Sequence, residues 1–164
     1  MKKIGLILVA LTSFFMNSNA QPNVYDVFTY EAPEFFTKTE LGSKVEFRLA
    51  NNDTSFCIIT LYKSRLANAD LQKEIKHQWN EHIFKQLTKA GKAPARILTE
   101  QQWDGWTSTL AIGNFYQNKR KCVVMLNAFT KGTQTASVVF AFSDKSFKGP
   151  IENFSKDLHL TNTP

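Results

Sequence analysis

The sequence predicts an α+β fold: an antiparallel sheet of about five to seven strands, with a long helix and a shorter C-terminal helix packed on it. Three observations carry this expectation. Several apolar runs alternate with polar residues and are joined by short polar turns. One segment changes to a four-residue apolar period. A Gly-Pro pair near the end opens a second helical stretch.

The first residues read MKKIGLILVALTSFFMNSNAQ. Lys2 and Lys3 precede an apolar run over 4–16, too short to span a bilayer comfortably. Ser18 and Ala20 suit a small-residue cleavage site. Residues 1–20 are therefore expected to be a signal peptide, with 21–164 a single α+β domain exported to the periplasm or the medium. No cysteine follows the cleavage point, so a lipoprotein anchor is not expected. Loss of two lysines leaves 18 basic and 14 acidic side chains, a net charge of +4. That balance is ordinary for an exported domain and argues against a nucleic-acid partner. No later stretch is apolar enough to form a transmembrane segment in the mature chain.

The elements follow in order. Residues 21–23 are expected to be loose. Residues 27–30 form a short strand ended by Pro33, and 35–40 a second. Residues 44–49 alternate Val45, Phe47 and Leu49 with Lys44, Glu46 and Arg48, as a half-wet strand does. A polar turn at Asn51, Asn52 and Asp53 leads into 55–62, apolar on both faces and so central. Leu71, Ile75, Trp79, Ile83 and Leu87 then recur every four residues. They predict a surface helix of about 18 residues, capped by Asn68 or Asp70 and stopped by Gly91 and Pro94. Glu74, Gln78 and the other polar residues between them are assigned to its wet face. Trp79 is expected to be buried. Residues 96–101 are ambiguous. Residues 107–116, 121–130 and 133–142 form an antiparallel meander. Lys148, Gly149 and Pro150 introduce the last helix, in which Ile151, Phe154 and Leu158, with Phe147 as a further candidate, face inward, before a frayed tail over 161–164.

This order, with YEAPEFFTKTE, SFCIITLYKS, ADLQKEI, HQWNEHI and GWTSTLAIGNF, resembles secreted bacterial relatives of the PsbP/Mog1-like α/β/α sandwich, over about residues 25–160. The resemblance implies a fold used for binding or assembly and brings no catalytic signature.

The chemistry-bearing residues are sparse. His77 and His82 are five apart on the helix, about 140° around its axis, and do not converge as HExxH does. Surface or cap roles are assigned to them and to His159. There is no GxSxG elbow and no phosphate-binding glycine loop. No catalytic, metal or cofactor site is expected. Glu100 and Asp104 flank Trp103 and could line a sugar-facing cleft with Trp106, although paired glycosidase carboxylates cannot be read from spacing. Two binding patches stand out. Trp103 and Trp106 anchor either a partner or their own loop. Lys119, Arg120 and Lys121 make a basic hairpin tip that either meets an anionic surface or is a solvated turn. Cys57 and Cys122 each begin an apolar run, and export permits a disulfide between them; two buried thiols are the alternative. The leading expectation is a non-enzymatic binding or assembly-support domain with an unidentified protein or envelope partner. A small cell-envelope hydrolase, or a carbohydrate- or lipid-binding protein, is the alternative.

Overall fold

The computed structural model describes residues 22–52, 54–68, 70–98 and 101–161, and for Gln101 the backbone only. The leader, Asp53, Glu100 and most of the expected C-terminal tail lie outside these. The fold is α+β as expected, but with more strands than the sequence suggested. Among the described residues there are eleven strands: β1 (Asn23–Tyr25), β2 (Phe28–Tyr30), β3 (Thr37–Glu40), β4 (Lys44–Asn52), β5 (Ser55–Leu66), β6 (Arg96–Ile97), β7 (Gln101–Trp103), β8 (Trp106–Gln117), β9 (Arg120–Lys131), β10 (Gln134–Phe142) and β11 (His159–Leu160). The helices are α1 (Leu71–Trp79), which continues as a π-helical turn over Asn80–Phe84, and α2 (Lys148–Lys156), preceded by a 3-10 turn.

Eight strands form one antiparallel sheet, curled like half a barrel, in the order β3-β4-β5-β10-β9-β8-β6, with β7 also paired to β8. The additional strands have simple physical origins. β1 and β11 pair with the two sides of β2 to make a small three-stranded sheet, so residue 23 is ordered rather than loose. β6 comes from the segment 96–101 that the sequence left ambiguous, and β7 runs from its last residue to Trp103; both pair with β8.

Two-residue turns set the registers of the long hairpins. Asn118 and Lys119 both have positive φ, between Gln117 and Arg120, as do Asp104 and Gly105 between Trp103 and Trp106. This is the backbone that matches the right-handed twist of paired strands.

The sheet is apolar on both faces, and each face has its own cover. One face carries Phe56, Ala111, Phe115, Val124, Leu126 and Val139 and is covered by Ile75 and Trp79 of α1 and Ile83 of the π-helical turn. The other carries Val45, Phe47, Ile59, Leu61, Phe129, Val138 and Phe140 and is covered by α2 and the small sheet. Tyr30, Phe47, Phe140 and Phe154 meet ring to ring beneath α2. Trp79 is fully buried, as its place in the apolar row requires. Asp70 caps α1 by accepting from the N–H groups of Gln72 and Lys73. The other candidate cap, Asn68, serves Glu74 instead.

Candidate functional site

Cys57 and Cys122 are both free thiols, and no disulfide joins them. Cys57 packs in the α2-side core and Cys122 in the α1-side core. They lie on opposite sides of the sheet, on β5 and β9, with β10 between those strands. Burial pushes the Cys57 thiol up to about 12 and raises Cys122 as well. Neither is an activated nucleophile.

The two tryptophans of the 103–106 turn have different fates. Trp106 is fully buried, so it locks the turn onto the core and is not an exposed anchor. Trp103 is half-buried and packs edge-on against Phe129, 6.4 Å between ring centres. Asp104 accepts from the backbone N–H of Leu160 at 3.0 Å and lies 3.4 Å from His159. It ties β11 to the turn; the expected partner carboxylate, Glu100, lies outside the described residues.

Trp103 roofs a cleft of about 230 Å³ between α2 and the β8–β9 face. Its walls are Leu98, Leu110, Met125, Phe129 and Phe140 from the sheet side, and Ile151, Ser155 and Leu158 from the helix side. Ser108 and Asn127 supply the polar groups of the floor. The Ser108 hydroxyl donates to the Asn127 carbonyl oxygen at 2.7 Å. The Asn127 amide NH₂ is then the donor that can meet an incoming carbonyl or hydroxyl. No charged side chain lines the cleft. An apolar wall with a few fixed polar groups is the usual make-up of a ligand pocket. A larger hollow of about 590 Å³ lies between the 31–36 loop and α2; Phe35, Phe36 and Phe154 line it together with Glu31, Glu34, Lys156 and Asp157, so unlike the cleft it carries charges of both signs.

A third hollow lies on the other side of the sheet, between α1 and β5–β10, lined by Tyr62, Arg65, Gln78, His82 and Thr135; it and the buried polar cluster beside it were not legible in the sequence. Glu74 and Gln78 are buried, not on a wet face. Glu74 accepts from the Asn68 backbone and side-chain amides, both at 2.8 Å, and from Arg65 at 2.5 Å. Gln78 donates to Glu74 and to the Thr135 hydroxyl, at 2.8 and 2.7 Å. Burial pushes the Glu74 carboxyl up, but these hydrogen bonds and the Arg65 charge outweigh it and hold the carboxyl low. His82 is not a surface residue either. It stacks on Tyr62 at 3.7 Å, and burial, with the Arg65 charge adding, lowers its pKa to about 4. Burial and the Glu46 charge raise Tyr62 to about 12. At neutral pH both rings are therefore uncharged. The only warning in the sequence was that Glu74 and Gln78 flank Ile75 and Trp79 within a helix turn, close to a wide apolar stripe.

Lys119 and Lys121 are exposed at the β8–β9 tip; Arg120 is exposed and donates to the Thr54 carbonyl at 3.1 Å. Strand alternation puts Lys121 on the face of Val123 and Met125, and Arg120 on the face of Cys122 and Val124. Trp103 and Lys121 thus share one face of the sheet, far apart along it.

Among the described residues no group of three or more His, Cys, Asp or Glu could hold a metal ion. No helix there is long and apolar enough to cross a membrane.

No family model and no curated protein matches the chain. Solved structures do. A Bacteroides thetaiotaomicron protein aligns at 15% identity and a TM-score of 0.50, over 83% of this chain and 46% of that one. The chain thus spans less than half of that neighbour. A Pseudomonas aeruginosa protein of unknown function, PA94, suggested to be a regulator, aligns at 12% identity and a TM-score of 0.51, over 79% and 98%. LpqN of Mycobacterium tuberculosis, involved in cell envelope biogenesis, aligns at 12% identity and a TM-score of 0.51, over 82% and 83%. These likenesses are of fold alone. They agree with a bacterial α+β fold and do not single out the PsbP/Mog1-like group.

Proposed function

We propose that this chain is an exported, non-enzymatic binding domain of the bacterial cell envelope, and that its α2–β8–β9 cleft receives an apolar group of an envelope component. The cleft itself carries the reading: it is apolar, free of charged lining, roofed by Trp103 and floored by the Ser108–Asn127 pair. LpqN's involvement in envelope biogenesis is consistent with the setting. Membership of the PsbP/Mog1-like group is part of the same proposal.

The hollow beside α1 gathers the titratable side chains of Tyr62, Arg65, Glu81 and His82. Its groups are poorly suited to acid and base work. A general base is most effective with its pKa near the working pH. His82 and Tyr62 are displaced in the wrong directions, to about 4 and about 12. Glu74 is occupied by three neighbouring residues, and the Thr135 hydroxyl donates to the Phe129 carbonyl. This supports binding over hydrolysis.

The test is titration with a neutral apolar dye that brightens in a dry site. Saturable binding is expected, weakened at least about tenfold by Trp103→Ala. Absence of binding by the parent, or an unchanged affinity in the variant, would overturn the assignment of the cleft.

A further inference from the structure

The floor of the cleft does not end at Asn127. The same face of the β8–β9 ribbon continues through Ile112 opposite Met125, then Asn114 opposite Val123, then Tyr116 opposite Lys121. Ile112, Met125 and Val123 are half-buried, a strip of sheet that α2 leaves incompletely covered. β6 lies beside it. The Leu98 N–H donates to the Leu110 carbonyl at 2.8 Å, and Arg96 stands opposite Ile112. Residues directly opposite in an antiparallel pair share a face. Arg96 is therefore on the side of the cleft, two residues from its wall. At about 3.4 Å per residue, it lies roughly 7 Å from Asn127 along the strand, and Lys121 roughly 20 Å.

The charge along this strip is basic. Lys121 lies on this face of β9 and Arg120 on the other, and residues 106–131 contain no carboxylate. Arg96 and Lys121 are exposed, and among the described residues neither is engaged in an ion pair. An uncharged apolar cleft running into an apolar strip with cations at its rim is complementary to a molecule with an apolar tail and an anionic head.

We propose that the ligand is an anionic single-chain amphiphile, its tail in the cleft and along Ile112 and Met125, its head group at Arg96 with Lys121 beyond. This rests on the reading of the cleft as the binding site and adds the chemistry of what enters it.

Dodecanoate and dodecanol separate the two ideas, because they share a tail and differ in head charge. Each is titrated into the isolated protein below its aggregation threshold, with affinity and stoichiometry read by calorimetry. Dodecanoate is expected to bind one per chain and at least about tenfold more tightly than dodecanol, with the gap narrowing in high salt. Replacing both cations, Arg96→Gln with Lys121→Gln, should bring dodecanoate to the affinity of dodecanol and leave dodecanol unchanged. Both positions are exposed, so the melting temperature should stay that of the parent. Equal affinity of the parent for the two ligands, or a preference that survives the double substitution, overturns the head-group assignment and leaves the cleft standing. Failure of both to bind overturns the cleft as well. Binding to anionic vesicles with none to monomeric dodecanoate overturns the single-molecule site in favour of a bilayer surface.

Discussion

Trp79 fills the space between α1 and the sheet, and its indole N–H donates to the Gly91 carbonyl at 2.9 Å. The ring reaches the sheet because position 113 has no side chain: a Cβ there would stand 2.6 Å from Cη2 of the indole. Trp79→Ala is expected to cost about 3–5 kcal/mol by denaturant unfolding. Gly113→Ala forces the ring aside and should cost about 1–3 kcal/mol. The double substitution should cost less than the sum, since removing the indole leaves room for the new methyl. Simple additivity would mean that the two positions do not share this contact. His82 makes a prediction of a different kind. Its folded pKa of about 4 lies below the ordinary 6.5. The unfolded chain therefore takes up the proton first as the pH falls. Stability from this group is complete above about 6.5 and is lost down to about 4, amounting to roughly 3 kcal/mol. His82→Phe keeps a ring on Tyr62 but cannot titrate, so its unfolding midpoint should fall less steeply across that window. An unchanged slope would show that His82 is solvated in the folded protein.

Helix α1 is the element on which sequence reasoning was most right and most incomplete. The apolar row correctly started the helix at Leu71 and buried Trp79, because a four-residue recurrence tracks one face. It overran the end, however: the expected 18 residues are a nine-residue α-helix and a π-helical turn that stops at Phe84, and Leu87 lies in the turns before Gly91. The same pattern misassigned Glu74 and Gln78. Amphipathic reasoning sends polar residues to water, whereas here Arg65, Asn68 and Thr135 arrive from outside the helix to meet them. Such partners are remote in sequence, so no local pattern announces them. The candidate cleft was half legible for the same reason. Trp103 stood out as a large aromatic at a turn, but Leu110, Met125 and Ile151 look like ordinary core positions until the fold leaves them at a gap. Glu74→Ala would strand the amides of Asn68 and Gln78 and is expected to cost about 2–4 kcal/mol. His77→Ala, exposed on the same helix, should change stability by no more than about 0.5 kcal/mol. Similar urea midpoints for the two variants would place Glu74 outside the core.

Across the whole molecule, the sheet acts as a partition. Covering one face with α1 and the other with α2 and the small sheet leaves Cys57 and Cys122 in separate interiors. Neither thiol should react with an alkylating reagent in the native protein. Both should react once the chain is denatured without reductant, giving two labels by mass. A denatured chain that stays unlabelled would reveal a bridge and require a different arrangement of β5 and β9. The small sheet has a consequence of its own. Its central strand, β2, takes β1 on one side and β11 on the other, and Thr161 bonds to Val27 across 134 residues of chain. The central β5–β10 pairing also spans α1 and four strands. Closing such long loops must come before most of the native contacts can reward it. Refolding should therefore take milliseconds to seconds. A growing polypeptide would carry β2 without its second partner until the residues of β11 had followed, so the small sheet cannot close before residues 159–160 are available.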